Sequence, residues 1–269
     1  MEYVAPATLQ EAFAALGEPE ARCLAGGQSL VAMMNLGLVA PEKLVSLRRI
    51  AALRGLTQRP DGSLRIGAMT THAELAALEA RSAGAALMRE TAKVIAYPAV
   101  RTSGTIGGSV AHADPAADLP VALLAADATI EVASARGERR IPALDFFRGL
   151  FETALAPGEI VTAIHVPPQS QDAGAAYEKL SLVAGDFAIV SVAAMVGRAA
   201  RVAVGGCGPK PMLVCGVGLT DAEALEAGRS LAAKCDPPDD HRASSAYRRT
   251  VLPELVRRAV RAACQRAQR

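Results

Sequence analysis

The stretch from Gly104 to Pro120 constrains this chain more than any other, because it concentrates residues that let a backbone come close to something else. Gly104, Gly107 and Gly108 carry no Cβ to collide with a ligand, and Thr105 and Ser109 add hydroxyl donors. Downstream, Asp114 reads as an N-cap and Pro115 as the first residue of a helix reaching about residue 126, which takes Val121, Leu123 and Leu124 into a core. Loop amides turned inward beside a helix start suit a phosphate or pyrophosphate. The same residues would serve equally as a plain glycine-rich turn, so the motif needs a second signal.

That signal lies upstream, at Ala25-Gly26-Gly27-Gln28-Ser29-Leu30, where paired glycines, an amide and a hydroxyl precede the apolar residues Leu30, Val31, Met33 and Met34. Two such loops can clamp one extended anion. Together with Arg101, the Gly104–Pro120 run, Pro157-Gly158-Glu159-Ile160, Tyr177-Glu178-Lys179-Leu180, Gly185-Asp186-Phe187-Ala188, Val204-Gly205-Gly206-Cys207-Gly208 and Tyr247-Arg248-Arg249, the sequence resembles the FAD-binding medium subunit of the molybdenum hydroxylases. That family includes carbon monoxide dehydrogenase, and its flavin domain is similar to the one in xanthine dehydrogenase. The motifs fall in the family's order across nearly the whole chain.

Read without the resemblance, 269 residues suffice for one large domain or two, with a substantial core. A formal net charge of +2 points to no polyanion partner, so nucleic acid is not implied. Apolar residues make up 51% of the chain, yet Arg, Asp, Glu or Gly interrupts every candidate membrane span. The stretch from Met1 to Pro6 has no apolar signal core, which makes the cytoplasm the default location. Cys23, Cys207, Cys215, Cys235 and Cys264 are odd in number and widely spaced, so neither a disulfide framework nor an iron–sulfur site is expected. His72, His112, His165 and His241 show no metal-ligand spacing either. The chain is expected to hold no metal of its own.

Periodicity and capping predict an α+β protein. Thr8 to Glu11 is a capping box opening a helix stopped by Gly17, and strands at 23–25 and 43–47 flank a helix through Met33 and Met34, which reads as core filling. A second lobe holds a strand at 64–68, a capped helix after Thr71, a helix near 87–95, the glycine loop, and strands at 128–132 and 160–166. The run from Pro167 to Gln171 marks a boundary. Beyond it, strands at 177–182, 188–196 and 202–204 form a meander whose continuously apolar middle strand should be central. Helices over 221–233 and 244–267 close the chain, the second broken near Pro253, with Arg248, Arg249, Arg257, Arg258, Arg261 and Arg266 on a basic face that reads as solvated, a partner-subunit contact being the alternative.

The resemblance implies a two-lobed FAD-binding domain of the p-cresol methylhydroxylase-like type over 1–167, with lobes at about 1–55 and 56–167. A small C-terminal domain with a three-stranded antiparallel sheet and helices would fill 168–269. It implies non-covalent FAD held by Leu24, Ala25, Gly26, Gly27, Gln28, Ser29 and Leu30 and by Gly104, Thr105, Ile106, Gly107, Gly108 and Ser109, through amides and the hydroxyls of Ser29 and Thr105. Asp118 would sit near the adenosine end, Ile160 beside the adenine and Lys179 near the cofactor. Tyr97, Asp186 and Phe187 complete the set, the last two on a loop facing the ring system.

No side chain reads as a catalyst, which suits a protein whose bound flavin carries the redox chemistry. Molybdopterin and [2Fe-2S] clusters would reside in a large and a small partner subunit, arranged as a dimer of heterotrimers. NAD, a quinone or dioxygen would be the external acceptor. The sequence departs from the family at Thr102-Ser103, at Ser181-Leu182-Val183-Ala184 and at Ala246. His112 reads as a hydrogen-bonded packing residue. Readings from other classes are a stand-alone flavin oxidase with its own substrate pocket and a flavin-free scaffold subunit.

Overall fold

The computed structural model describes residues 1–267. Its first lobe is a parallel sheet of order β1-β3-β2, made of β1 (Glu2–Val4), β2 (Ala21–Leu24) and β3 (Lys43–Ser46), with α1 (Leu9–Leu16) and α2 (Leu30–Asn35) as the crossovers. α1 starts with the expected box: Glu11 N–H donates to the Thr8 hydroxyl, and the Thr8 amide donates to the Glu11 carboxylate. β1, only three residues long, has no periodicity to read and was not anticipated. α2 departs from expectation more tellingly. It buries no residue, Met33 and Met34 are half-buried, and Val31, Leu36 and Leu38 are 42, 75 and 66% exposed.

Two single 3-10 turns, Leu47–Arg49 and Ala51–Leu53, lead into the second lobe. There β4 (Leu56–Gln58) and β5 (Leu64–Gly67) precede the helices α3 (His72–Ala76), α4 (Ala83–Lys93), α5 (Pro98–Arg101), α6 (Ile106–His112) and α7 (Asp118–Ala125). The hairpin β6 (Thr129–Ser134) and β7 (Gly137–Pro142), then α8 (Ala143–Phe146), the short pair β8 (Phe147–Gly149) and β9 (Glu152–Thr153), and β10 (Ile160–Val166) complete it. The five-stranded antiparallel sheet has the order β4-β5-β10-β6-β7. Two expectations fail here for a shared reason. The glycine run is not a loop but the first turn of α6, capped by Thr105, whose hydroxyl accepts from Gly108 N–H at 3.2 Å. Nor does Asp114 cap a helix: α7 starts at Asp118 behind Ala117, and the Asp114 carboxylate accepts from Ala116 N–H at 2.8 Å in a local turn. The backbone of 115–116 is claimed elsewhere, since Pro115 and Ala116 carbonyls accept from Gly206 and Ala188 amides.

The C-terminal sheet has four strands rather than three: β11 (Gly174–Leu180), β12 (Val190–Val196), β13 (Ala200–Gly205) and β14 (Met212–Val217), paired in that order. β14 escaped the sequence reading because Met212–Cys215 is only partly buried to exposed and lacks alternation. β12 is interior and buried at all seven positions. An antiparallel strand ordinarily alternates because one sheet face meets water. Here neither face does: Val190, Val192, Ala194 and Val196 join a core with α9 (Asp221–Lys234) and α10 (Ser245–Ala267), while Ala193 and Met195 join the core built on α4 and α7. The central core thus runs across the Pro167–Gln171 segment.

Pro253 does not break α10, which is continuous from Ser245 to Ala267. Close packing on α9 holds it there, a Cβ on Gly228 lying only 2.5 Å from the Pro253 Cα. Its arginines are not a free solvated face either. Arg257 bridges Glu254 and Asp221, Arg258 pairs with Glu254, and Arg266 pairs with Glu90 of α4 at 2.8 Å. Arg248 is 1% exposed and donates to the carbonyls of Ile189 and Gly206 and to the Asp240 carboxylate. Leaving such acceptors unmet costs about 1–3 kcal/mol, so Arg248→Leu should lower unfolding free energy by about that amount in a denaturant titration; an unchanged midpoint would contradict the role assigned to it.

Candidate functional site

β2 and β3 run parallel, and ligands of parallel α/β units gather outside the carboxyl ends of the strands. The carboxyl end of β2 delivers Ala25 and the loop from Gly26 to Ser29; the carboxyl end of β3 delivers Leu47 and Arg48. Among the described residues, the amides of Gly26, Gly27, Gln28, Ser29 and Leu30 donate to no acceptor in the chain. Gly27 has φ +75°, a left-handed conformation that turns successive N–H groups toward one side, and a side chain there would be strained. Gln28 ties back through Nε2 to the Gly26 carbonyl at 3.3 Å, and Ser29 caps nothing, leaving its exposed hydroxyl free. This is a concave run of unmet donors, which suits an anion.

The second glycine segment lies against the first: a Cβ on Gly26 would overlap the Ser103 carbonyl, and one on Gly108 would lie 3.5 Å from the Ala25 Cβ. Most of its amides, however, are already engaged, the Thr105 amide alone donating to no acceptor among the described residues. Gly104 N–H donates to Val100 O, Ile106 to Thr70 O, Gly107 to Ala68 O and Ser109 to Thr105 O, at 2.8–3.0 Å, and Gly108 to the Thr105 hydroxyl. The two segments therefore differ in how many amides the protein leaves unmet. Gly107 is small because α6 packs on the Ala68 backbone, where a Cβ would sit 2.7 Å from the Ala68 oxygen. Ile106 is wholly buried.

A cleft of about 330 Å³ opens between these segments, lined by Ala25, Gly26, Thr102, Ser103 and Thr105, with Met69 and Thr71 from the β5–α3 connection and Arg48 and Arg54 from the 3-10 turns. The arginines, Met69 and Thr71 were missed in the sequence, although the carboxyl end of a parallel strand was the place to look. α5 connects the cleft to a second face. At its head stands Tyr97, 58% exposed, and the neighbouring Ala96 carbonyl touches the loop of Gly185, where a Cβ would lie 2.6 Å away. That contact brings Tyr97 and the Asp186-Phe187 loop together. Asp186 accepts from the Phe187 amide at 2.7 Å, and Arg242 lies 5.3 Å over the Phe187 ring.

Asp118 and Lys179 are joined to each other. Lys179 Nζ donates to Asp118 Oδ2 at 2.9 Å and to the Val94 carbonyl at 3.2 Å, and Tyr177 OH donates to Asp118 Oδ1 at 2.6 Å. Burial pushes the Asp118 carboxyl up, opposed by Lys179 and Tyr177, while burial and the Asp118 carboxylate push the Tyr177 phenol well above its ordinary value. Ile160, 3% exposed, packs in the first lobe's core beside Met69. The preceding Pro157, Gly158 and Glu159 line a separate cavity of about 290 Å³ with Ala21, Arg22 and Cys23. Leu24 and Leu30 flank the loop at half-burial. His112 makes no hydrogen bond among the described residues, contrary to expectation, and lies 5.0 Å from the Phe151 ring.

The sequence matches the family described as FAD binding domain in molybdopterin dehydrogenase over residues 1–169, and that described as CO dehydrogenase flavoprotein C-terminal domain over 175–263. It is 36% identical to the carbon monoxide dehydrogenase medium chain of Hydrogenophaga pseudoflava, across 98% of this chain and 97% of that one. Identity to the glyceraldehyde dehydrogenase medium chain of Sulfolobus acidocaldarius is also 36%, over 96% of each. Among solved structures, carbon monoxide dehydrogenase from Hydrogenophaga pseudoflava lacking the Mo-pyranopterin moiety superposes with a TM-score of 0.93, at 35% identity, covering 99% of this chain and 98% of the matched chain.

His72 stands behind the cleft wall, 5% exposed, with Nδ1 unpartnered and its ring against Gly104. Burial, reinforced by Arg101, lowers its pKa to about 4. The unfolded chain binds the proton more readily, so the cost is absent well above pH 6.5 and grows as pH falls toward 4, to roughly 3 kcal/mol at most by the 1.36 kcal/mol-per-unit relation. Stability measured from pH 7 to pH 4 should fall more steeply in the parent than in His72→Gln; parallel curves would show that the ring is not buried neutral.

Proposed function

We propose, from the premise that this chain belongs to the family of FAD-binding medium subunits of molybdenum hydroxylases, that it binds FAD in the cleft beneath Gly26–Leu30 and acts as the electron-transfer flavoprotein of an oxidoreductase complex. The observation that carries the reading is the run of five unmet amides at the end of a parallel strand, packed against Ser103 and Gly104. An amide run of this kind matches the oxygens of a dinucleotide diphosphate. When bound, FAD supplies the redox chemistry, accepting electrons from partner clusters and passing them to an external acceptor.

The chain's own residues hold and place the cofactor. Gly26, Gly27, Gln28, Ser29 and Leu30 would donate main-chain N–H groups, with the Ser29 hydroxyl beside them. Gly104 to Ser109 would supply shape more than amides, only the Thr105 amide being left to donate, and the start of α6 keeps that wall in place. Tyr97 and Phe187, exposed on loops that touch, would flank the ring end, with Asp186 and Arg242 fixing the Phe187 loop. Asp118, Tyr177 and Lys179 would hold α7 and β11 together around the cofactor. On this reading residues 1–167 form the FAD-binding domain and 168–269 the C-terminal domain.

A role as one subunit among several agrees with the exposed Val31, Leu36 and Leu38 on and after α2, apolar groups with no partner surface within the chain. A large molybdopterin-binding chain and a small iron–sulfur chain are the expected partners, as a dimer of heterotrimers in the cytoplasm, with NAD, a quinone or dioxygen as acceptor. Among the described residues no helix is long and apolar enough to cross a membrane.

Protein isolated with its native complex should give a flavin absorption spectrum, and acid or heat should release intact FAD, because no Cys or His lies in the amide loop. A colourless chain that takes up no FAD would overturn the proposal. Gly27→Val, which forces a branched residue into a left-handed conformation, should weaken FAD binding at least tenfold in a fluorescence titration; equal affinity would place the cofactor elsewhere.

A further inference from the structure

We infer that Arg48 and Arg54 form a cationic wall that binds the diphosphate of FAD across the cleft from the Gly26–Leu30 amides. The inference rests on the reading that this cleft takes FAD, and extends it to side chains outside both glycine segments. Backbone amides offer partial charges only, whereas a diphosphate linker carries about two full negative charges. Two guanidinium groups supply the missing charge with forked donors suited to phosphate oxygens.

Both arginines line the same cleft as Ala25, Gly26 and Thr105. Among the described residues neither lies within 4.0 Å of a carboxylate, unlike Arg22, Arg65 and Arg139, whose ion pairs stay within the fold. Arg54 is pre-oriented: its Nη2 donates to the Arg48 carbonyl at 2.9 Å, which links the two positions. The chain that carries them is pinned on each side. Leu47, Ile50 and Leu53 are buried, Met69 N–H donates to Leu53 O, and Gly67 N–H donates to Gly55 O, both at 2.8 Å. Gly67 approaches so closely that a Cβ there would lie 2.8 Å from the Arg54 carbonyl carbon. A rigid backbone thus holds two unpaired, solvent-reaching cations at the edge of an amide-lined cleft.

The test is FAD titration of the full-length chain freed of its flavin, followed by flavin fluorescence, for the parent, Arg48→Ala, Arg54→Ala, the double alanine variant and the double lysine variant. Each single alanine should weaken FAD binding about tenfold and the pair about a hundredfold, in line with charge-assisted hydrogen bonds. The lysine pair should fall between parent and double alanine, retaining charge without the fork. Raising ionic strength should weaken binding by the parent but leave the double alanine variant nearly unaffected. Riboflavin, which has no phosphate, should bind parent and variants alike. A double alanine variant of parental thermal stability that binds FAD within twofold of the parent, with the same salt dependence, overturns the inference alone. A parent that binds no FAD overturns the functional reading and this inference with it.

Discussion

The close approach of Gly26 to the Ser103 carbonyl is the contact on which the rest of the structure depends. It brings the carboxyl edge of a small parallel sheet against the segment that opens α6, with no side chain between them. That approach sets Gly26 in the wall of the cleft, while the loop amides from Gly26 to Leu30 meet no acceptor of the protein. Amides that the protein leaves unmet are taken by water or by a ligand. The proposed binding site and a weld between lobes share the same few atoms.

Gly104 and Gly107 of the second segment are required by packing within the protein. Gly107 lets α6 rest on the Ala68 backbone, and Gly104 leaves room for His72. Once the amides of Ile106, Gly107 and Gly108 are engaged by Thr70, Ala68 and the Thr105 hydroxyl, the segment becomes a rigid wall. On the proposed reading the labour is divided: one loop would donate most of the hydrogen bonds, and the other would fix the width of the cleft. Such preorganisation limits the ordering cost of binding a long, flexible dinucleotide.

The C-terminal sheet is not an appendage. Its β12 lies between α10 on one face and α4 and α7 on the other, and the buried Asp118–Tyr177–Lys179 cluster ties the same surfaces together by hydrogen bonds. Burying that ion pair is tolerable because every charged atom finds a partner, including the Val94 carbonyl for the lysine. The arrangement places the Asp186-Phe187 loop against Ala96, so the face carrying two exposed aromatics is fixed by the same packing that encloses the core.

Local chemistry made much of this legible in the chain. The capping boxes at Thr8 and Thr71, the alternating strand at 64–67 and the apolar run of β12 each act through neighbours in sequence, so their residues alone determined them. The two glycine segments, and the family they resemble, were also readable from order and spacing. What the tertiary structure decided were the matters set by distant partners. It gave α6 in place of a loop, because Thr70 and Ala68 capture its amides, and it started α7 at Asp118, because residues 188 and 206 occupy the carbonyls before it. It kept α10 continuous through Pro253, where α9 packs, and it brought Arg48 and Arg54 to the cleft. A hydrogen bond between residues far apart in sequence leaves no periodic trace, and only the folded chain brings its two ends within reach.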